Sequence, residues 1–450
     1  MIRTIYQHIQ TSVYGRFPQW YPASLLLALL LLFFLPAAHI QAAGGKTETL
    51  TEGSSGENDM LGIKIVTATD FHYISPSLTD NGPAFMKLIR NADGKITNYS
   101  DKIVHCFIMD MLEEKPDCVV LTGDLSFNGE KKSLEELAVS LRKLKNAGIP
   151  VLVLPGNHDL NNRMARGFSG SRMFPVDTCG AKEFAEIFAS FGYSDALERC
   201  PDSLSYVYAL HKDVEGTVKT VWLLCQDTNS ADPAGSISEP TLRWTETVLK
   251  KAKEQNIPVI SFTHQNLLGH NSLFRDGFQI NNASRLIDLY KKYDVKLNMS
   301  GHMHLQHIEI QDGITDIATS CMTLYPCRFA RLRIAADNTW TYQTADNGSA
   351  SVYRAYALNF FRVSSSKKLS SSLENMGSIP RDVRDQMIRD ITDVNLAYFS
   401  GRLDRIPGTS FDRILEEWQK YAGSSYSILY LISLKPKDFL DMRTIRGTLQ

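Results

Sequence analysis

Five short apolar runs in this 450-residue chain each end in side chains able to ligate a metal: Asp70-Phe71-His72, Gly123-Asp124, Gly156-Asn157-His158-Asp159, Thr263-His264 and Gly301-His302-Met303-His304. The runs themselves, at 63–66, 118–121, 151–154, 258–262 and 295–299, have the length and β-branched content of buried strands. Each candidate ligand therefore stands at the carboxyl end of a strand. Open α/β sheets gather their ligands at that edge, so residues as far apart as 70 and 304 can converge on one site.

Between the strands the pattern turns helical. The segment 130–147 puts Leu134, Leu137, Leu141 and Leu144 on one face and stops at Gly148, and 238–255 and 282–293 read the same way. Strand, helix, strand repeated in this order predicts an α/β fold with largely parallel layered sheets. Beyond 304 the chain becomes strand-rich, with 307–310, 314–319 and a hairpin of 331–334 with 339–342 around Asp337-Asn338, enough for a second sheet. The irregular stretch 161–202, carrying Arg163, Arg166, Arg172, Phe168 and Phe174, reads as a substrate-facing insertion. From about 375 the segments 381–395, 411–421 and 437–442 are helix-like, preceded by a serine-rich linker at 364–372. The expected organisation is a domain over 61–345 and a C-terminal helical accessory domain over 346–450.

The first 42 residues are of another kind. Arg3 and Arg16 precede an apolar run from Ala23 to Leu35, then Pro36 and small residues as far as Ala43, which reads as an export signal cleaved near Ala42, with an uncleaved membrane anchor as the alternative. Residues 43–60 form a flexible Gly-, Ser-, Thr- and Glu-rich tether. The expected location is extracytoplasmic. Residues 1–42 hold two Arg and no other charged residue, so their removal takes the formal charge from −1 to −3, which excludes a basic nucleic-acid-binding surface. Seven Cys without a C-x-x-C spacing exclude a thiolate zinc site; the pairs Cys179 with Cys200 and Cys321 with Cys327 are the disulfides expected in an oxidising compartment.

The ligand inventory matches two divalent ions roughly 3.5 to 4 Å apart, which need a bridging carboxylate and a shared set of further ligands. Asp70 and His72, two positions apart on an extended segment, can reach one ion together. Asp124 is the natural bridge, and Asn157, His264, His302 and His304 complete the set. Imidazole, carboxylate and amide oxygen without thiolate suit manganese, iron or zinc. With Asn157 as the ligand, His158 is left as proton donor or charge stabiliser and Asp159 as the group that orients it. Ions so placed lower the pKa of a water and offset charge on phosphoryl oxygens. His270 and His307 fit no slot and read as structural or as partners behind the ligands, and His105 and His211, inside apolar segments, read as core or surface residues.

The order D-x-H, G-D, G-N-H-D, H, G-H-x-H resembles the calcineurin-like metallophosphoesterase superfamily over about 62–345. The resemblance implies a two-sheet sandwich flanked by helices, with Asp70, His72, Asp124 and His304 on one ion, Asp124, Asn157, His264 and His302 on the other, and His158 catalytic. His264 to Asn271 and the helical extension are similar to a bacterial group of class III cyclic nucleotide phosphodiesterase-like proteins. The protein phosphatase branch carries an Arg where Asn128 stands; a doubly charged monoester gains most from such a cation, so Asn128 favours diesters unless Arg163, Arg166 or Arg172 replaces it. The expected function is an exported two-metal hydrolase of small phosphoesters, more a diesterase than a monoesterase. The alternatives are a phosphomonoesterase, a lipid or envelope diester hydrolase, and a silent envelope binding protein.

Overall fold

The computed structural model describes residues 62–449 except 215, 375, 377, 378 and 424, so the export segment 1–42 and the tether 43–60 lie outside the described residues. Two sheets face each other. The first runs Thr444–Thr448, Thr339–Asp346, Arg328–Ile334, Ile63–Ala68, Cys118–Thr122, Val151–Leu154, and the second His307–Gln311, Ile314–Ala318, Leu297–Ser300, Val259–Phe262, Thr217–Cys225, Tyr206–Val214, Glu198–Arg199. Apolar side chains from both, among them Ile65, Val119 and Val153 against Leu223, Ile260 and Met299, share one buried core. This is the α/β sandwich the sequence implies.

Among the named strands, parallel pairing is confined to those that carry ligands at their ends and to their immediate partners: Ile63–Ala68 with Cys118–Thr122 and Cys118–Thr122 with Val151–Leu154 in one sheet, and Leu297–Ser300 with Val259–Phe262 and Ile314–Ala318 and Val259–Phe262 with Thr217–Cys225 in the other. The remaining pairs are antiparallel, so the sheets are mixed rather than largely parallel. Helices cover the outer faces. Lys131–Asn146 buries Leu134, Leu137, Leu141 and Leu144, the stripe expected from its spacing. Glu239–Glu254 starts where the Ser238 hydroxyl accepts the amide of Thr241, and buries Leu242, Val248 and Leu249 on the second sheet.

The C-terminal module departs from its expected outline in three places. The serine run 364–372 is no linker but lies inside a helix, Ser351–Glu374, because Ala357, Phe361, Leu369 and Leu373 recur at multiples of four and give it a buried edge that overrides the serines. The segment 437–442 is a short 3-10 turn, Pro436–Phe439, followed by the strand Thr444–Thr448, which returns to pair with Thr339–Asp346. The module is thus held at both ends by the first sheet. Its helices Arg381–Phe399, Gly408–Ala422 and Tyr426–Ser433 share a core that also takes in Met303 and Leu305, next to the last two histidine ligands.

His270 and His307 form a buried chain between sandwich and module: Asp316 Oδ2 lies 3.2 Å from His270 Nε2, the two Nδ1 atoms are 3.0 Å apart, and His307 Nε2 is 3.2 Å from Asp438 Oδ1. His105 and His211 are exposed. All seven cysteines are free: Cys179 and Cys200 belong to different core clusters, and the Cys321 thiol donates to the Asp70 carbonyl. No helix among the described residues is long and apolar enough to cross a membrane.

Candidate metal centre

Three of the five ligand-bearing strands, those leading to Asp70, Asp124 and His302, end by turning the chain into the left-handed region. Asp70 (φ 55°), His72 (41°), Asp124 (47°), His302 (68°) and His304 (59°) all have positive φ without being glycine. Such a conformation costs on the order of 1 kcal/mol or more each, and five in one site mark backbone held for function. Two glycines let the turns touch. A Cβ on Gly156 would collide with the amide and Oδ1 of Asp124, and one on Gly301 with the Thr69 hydroxyl.

The turns bring all seven expected ligands together in two overlapping groups. In one, His304 Nε2 is 3.1 Å from His72 Nε2 and 3.4 Å from Asp70 Oδ1, and His72 Nε2 is 3.8 Å from Asp124 Oδ2. In the other, His264 Nε2 is 3.0 Å from Asn157 Oδ1, 3.2 Å from His302 Nδ1 and 3.3 Å from Asp124 Oδ1. Asp124 faces both groups, one oxygen to each. In the second group the remaining ring nitrogens are tied to the backbone: His264 Nδ1 donates to the Thr122 carbonyl at 2.8 Å and His302 Nε2 to that of Gly277 at 2.7 Å. Those bonds fix the tautomers and leave lone pairs on His264 Nε2 and His302 Nδ1, pointing at one another's space.

The donor set fits cations. Asp70 Oδ1 is fully buried with no hydrogen-bond partner, an arrangement costly for a carboxylate unless a positive charge meets it. Burial pushes the Asp124 carboxyl up, but the surrounding imidazoles outweigh it and hold it well below the usual range, so it stands ionised as a bridge must. Asp70, His72, Asp124 and His304 would hold one ion, and Asp124, Asn157, His264 and His302 the other.

His158 stands over both groups, its ring 4.8 Å from that of His72. Its amide donates to Asp124 Oδ1, and its Nδ1 lies 2.7 Å from the Phe127 carbonyl and 3.1 Å from Asn128 Oδ1, which leaves Nε2 to face the site. Burial lowers its basicity. Asp159 does not orient it. Its carboxylate accepts the amides of Leu125, Ser126 and Gly156 and the Ser126 hydroxyl, so it clamps the second and third ligand loops to each other. Orientation of His158 falls to Phe127 and Asn128 because the residue after a histidine in a tight turn points away from its ring. The sequence also gave no sign of Asp93 and Lys95, which carry no motif: Lys95 Nζ is 3.4 Å from His72 Nε2 and 3.3 Å from Asp93 Oδ2. Burial raises the Asp93 carboxyl, yet Lys95 and His304 bring it down to about 2.

A cavity of 180 Å³ opens onto Asp124, Asn157, His158, His302 and His304, and its other walls come from the loop bearing Phe274 and Phe278 and from the C-terminal helices. Arg163, Arg166 and Arg172 are not part of its wall. Arg166 and Arg172 lie on the hairpin strands Arg166–Ser169 and Arg172–Pro175, and the Arg166 guanidinium donates to the carbonyls of Arg163 and Ala165.

Residues 63–306, just over half of the chain, match the calcineurin-like phosphoesterase family, and the chain belongs to that family of metal-dependent phosphoester hydrolases. Among curated proteins it is 24% identical over 204 residues to one named a probable glycerophosphodiester phosphodiesterase from Arcobacter nitrofigilis, covering 45% of this chain and 62% of that relative. It is 25% identical over 302 residues to a 3',5'-cyclic-nucleotide phosphodiesterase from Nostoc, covering 63% and 92%. It is 22% identical over 258 residues to a probable cyclic nucleotide phosphodiesterase from Xenorhabdus bovienii, covering 56% and 83%. A dimetal phosphatase from Danio rerio aligns in structure over 64% of this chain and 97% of its own at 13% identity, with a TM-score of 0.46.

Proposed function

We propose that the protein is a two-metal phosphodiesterase, and the observation that carries this is the composition of the cavity wall. Among the described residues the wall holds one lysine, Lys368, and no arginine, while most of the rest is apolar. Beyond the charge that ions on the ligand cluster would supply, the wall offers the second charge of a monoester only Lys368, whereas a diester brings one charge and two ester groups, one of which an apolar wall can take. The names of the curated relatives support the same reading.

When bound, manganese, iron or zinc ions would supply an activated water and offset the charge growing on the phosphoryl oxygens. The protein's own groups do the rest. Asp124 and the ligand loops fix where phosphorus sits, and Asp159 keeps those loops in register. His158, with Nδ1–H engaged by Phe127, presents Nε2 toward the departing oxygen. Burial disfavours its protonated form, so Nε2 acquires its proton as negative charge enters the site and returns it to the leaving group.

The test is kcat/KM for bis-(p-nitrophenyl) phosphate against p-nitrophenyl phosphate, each with manganese, iron or zinc added to metal-stripped protein. A ratio of at least tenfold for the diester is expected with the metal giving the greatest activity. The inverse ratio assigns a monoesterase, and no hydrolysis of either points to a binding protein. The basic and apolar run at the amino end supports an exported protein whose mature form begins near Ala43. Terminal sequencing of the native protein would show it, and an intact Met1 in the membrane fraction would mean an anchor.

A further inference from the structure

The cavity has two unlike halves. Its floor is the ligand cluster. Its far wall is built from Phe361 and Leu369 of Ser351–Glu374, Ile391 and Tyr398 of Arg381–Phe399, Tyr430 of Tyr426–Ser433, and Phe274 of the loop after His264. These are aromatic and branched side chains, and several belong to the buried core shared by the module and the Met303-Leu305 segment, so the wall is fixed rather than collapsible. The volume of 180 Å³ is that of the whole cavity, floor included, and roughly 150 Å³ suffices for one benzene ring in a protein interior, so beside a phosphoryl group the wall has room for one compact group. The hydroxyl of Tyr430 is buried and has no hydrogen-bond partner. Serines 364 and 365 turn toward the same space, but Ser364 is engaged with the Ala92 carbonyl and Ser365 with the Asn395 amide, so they add little polarity free for a ligand.

We infer that the C-terminal helices form a subsite for the non-leaving ester group of the substrate, and that this group is compact and mainly apolar or aromatic, about the size of a single ring, with room for one polar atom at the Tyr430 hydroxyl. The inference rests on the phosphodiesterase reading, since it takes the occupant of the wall to be whatever else is esterified to the phosphorus held at the floor. Continuity decides this. The same cavity touches both the ligand ends and the aromatic wall, so a group bonded to the reacting phosphorus must enter it. A glycerol-like group would exchange its water for a mostly apolar wall with only Lys368, Asn395, Ser427 and the tyrosine hydroxyls to offer in return, while a ring exchanges water for apolar contact. Binding energy gathered there, away from the reacting bond, is available to position the phosphorus and shows in kcat/KM.

The experiment compares three p-nitrophenyl phosphodiesters that share one leaving group and differ only in the other ester: benzyl, methyl and 2,3-dihydroxypropyl. With the metal-loaded full chain, kcat/KM for the benzyl ester is expected at least tenfold above both others, and Ser364→Phe, which fills the cavity, should bring that ratio near one. Melting temperature and metal content equal to wild type show the variant is folded. Equal kcat/KM for all three in the wild type, or a preference for dihydroxypropyl, overturns the subsite while leaving the diesterase reading standing. If none is hydrolysed that reading falls, and calorimetry with dibenzyl against dimethyl phosphate decides the subsite alone: tighter binding of dibenzyl supports it, and equal or weaker binding overturns it.

Discussion

The ligand loops and the helices above them meet across one cavity, yet they are held by different means. On the sandwich side, five residues in left-handed backbone, two glycines that allow loop contact, and ring nitrogens tied to carbonyls fix each atom from behind. On the helical side polar pinning is sparser: the Tyr398 hydroxyl accepts the Asn271 amide, while Tyr430 is placed by the packing of its neighbours alone. A site fixed by short polar bonds loses its chemistry when one atom changes. A wall fixed by packing changes its shape gradually and so alters selection first.

The sharpest break of this contrast is Asp124→Asn. An amide cannot bridge two cations, so activity should drop at least about 10³-fold and metal content should fall from two ions. Elemental analysis beside turnover checks it, and two tightly held ions with normal rate would remove Asp124 as the bridge. His158→Ala should keep both metals and reduce kcat by roughly 10² to 10⁴, less for esters with good leaving groups if the imidazole donates a proton. Equal losses on good and poor leaving groups would leave it only a charge-stabilising part.

The polar chain beneath the helices tests the other side. Asp438→Ala leaves His307 buried without its carboxylate partner, which should destabilise the protein by about 3 to 5 kcal/mol. The site itself should bind metal as before, because none of the four members of the chain is among the expected ligands. Chemical denaturation together with metal titration measures both, and loss of metal at unchanged stability would mean that the chain serves the site directly.

What could be read from sequence divides along the same line. The ligand set was legible because each member is a chemically distinctive residue at a strand end, where short-range signals fix both strand and turn. The orienting role expected of Asp159 falls instead to Phe127 and Asn128, since which neighbour of His158 meets its ring depends on a turn geometry that spacing does not encode. Lys95 was missed because a lysine in a loop carries no pattern, and its place beside His72 is made by tertiary structure alone. The serine run was mistaken for a linker because composition hid the four-residue stripe of Ala357, Phe361, Leu369 and Leu373. The return of Thr444–Thr448 to the sheet is a pairing about a hundred residues distant, with no local cue.

The smallest effect expected concerns a buried carboxylate on the sandwich side that takes no part in the ligand cluster. Glu130 is fully buried at the start of Lys131–Asn146; one oxygen accepts the Asn128 amide and the other has no partner. Burial pushes its carboxyl up from 4.5 to about 7. Between those values the folded protein holds a proton that the unfolded chain has released. Stability is therefore greatest below the lower value, declines as pH rises through the window, and levels off above about 7, with a total cost of about 3 kcal/mol. Glu130→Gln cannot ionise and keeps the amide contact, so its stability should lack this decline and exceed that of the wild type at pH 8 while matching it more nearly at pH 5. Urea denaturation at the two pH values measures the difference. Parallel pH profiles for the two proteins would mean that Glu130 is ionised in the fold, its charge met by a partner other than the Asn128 amide.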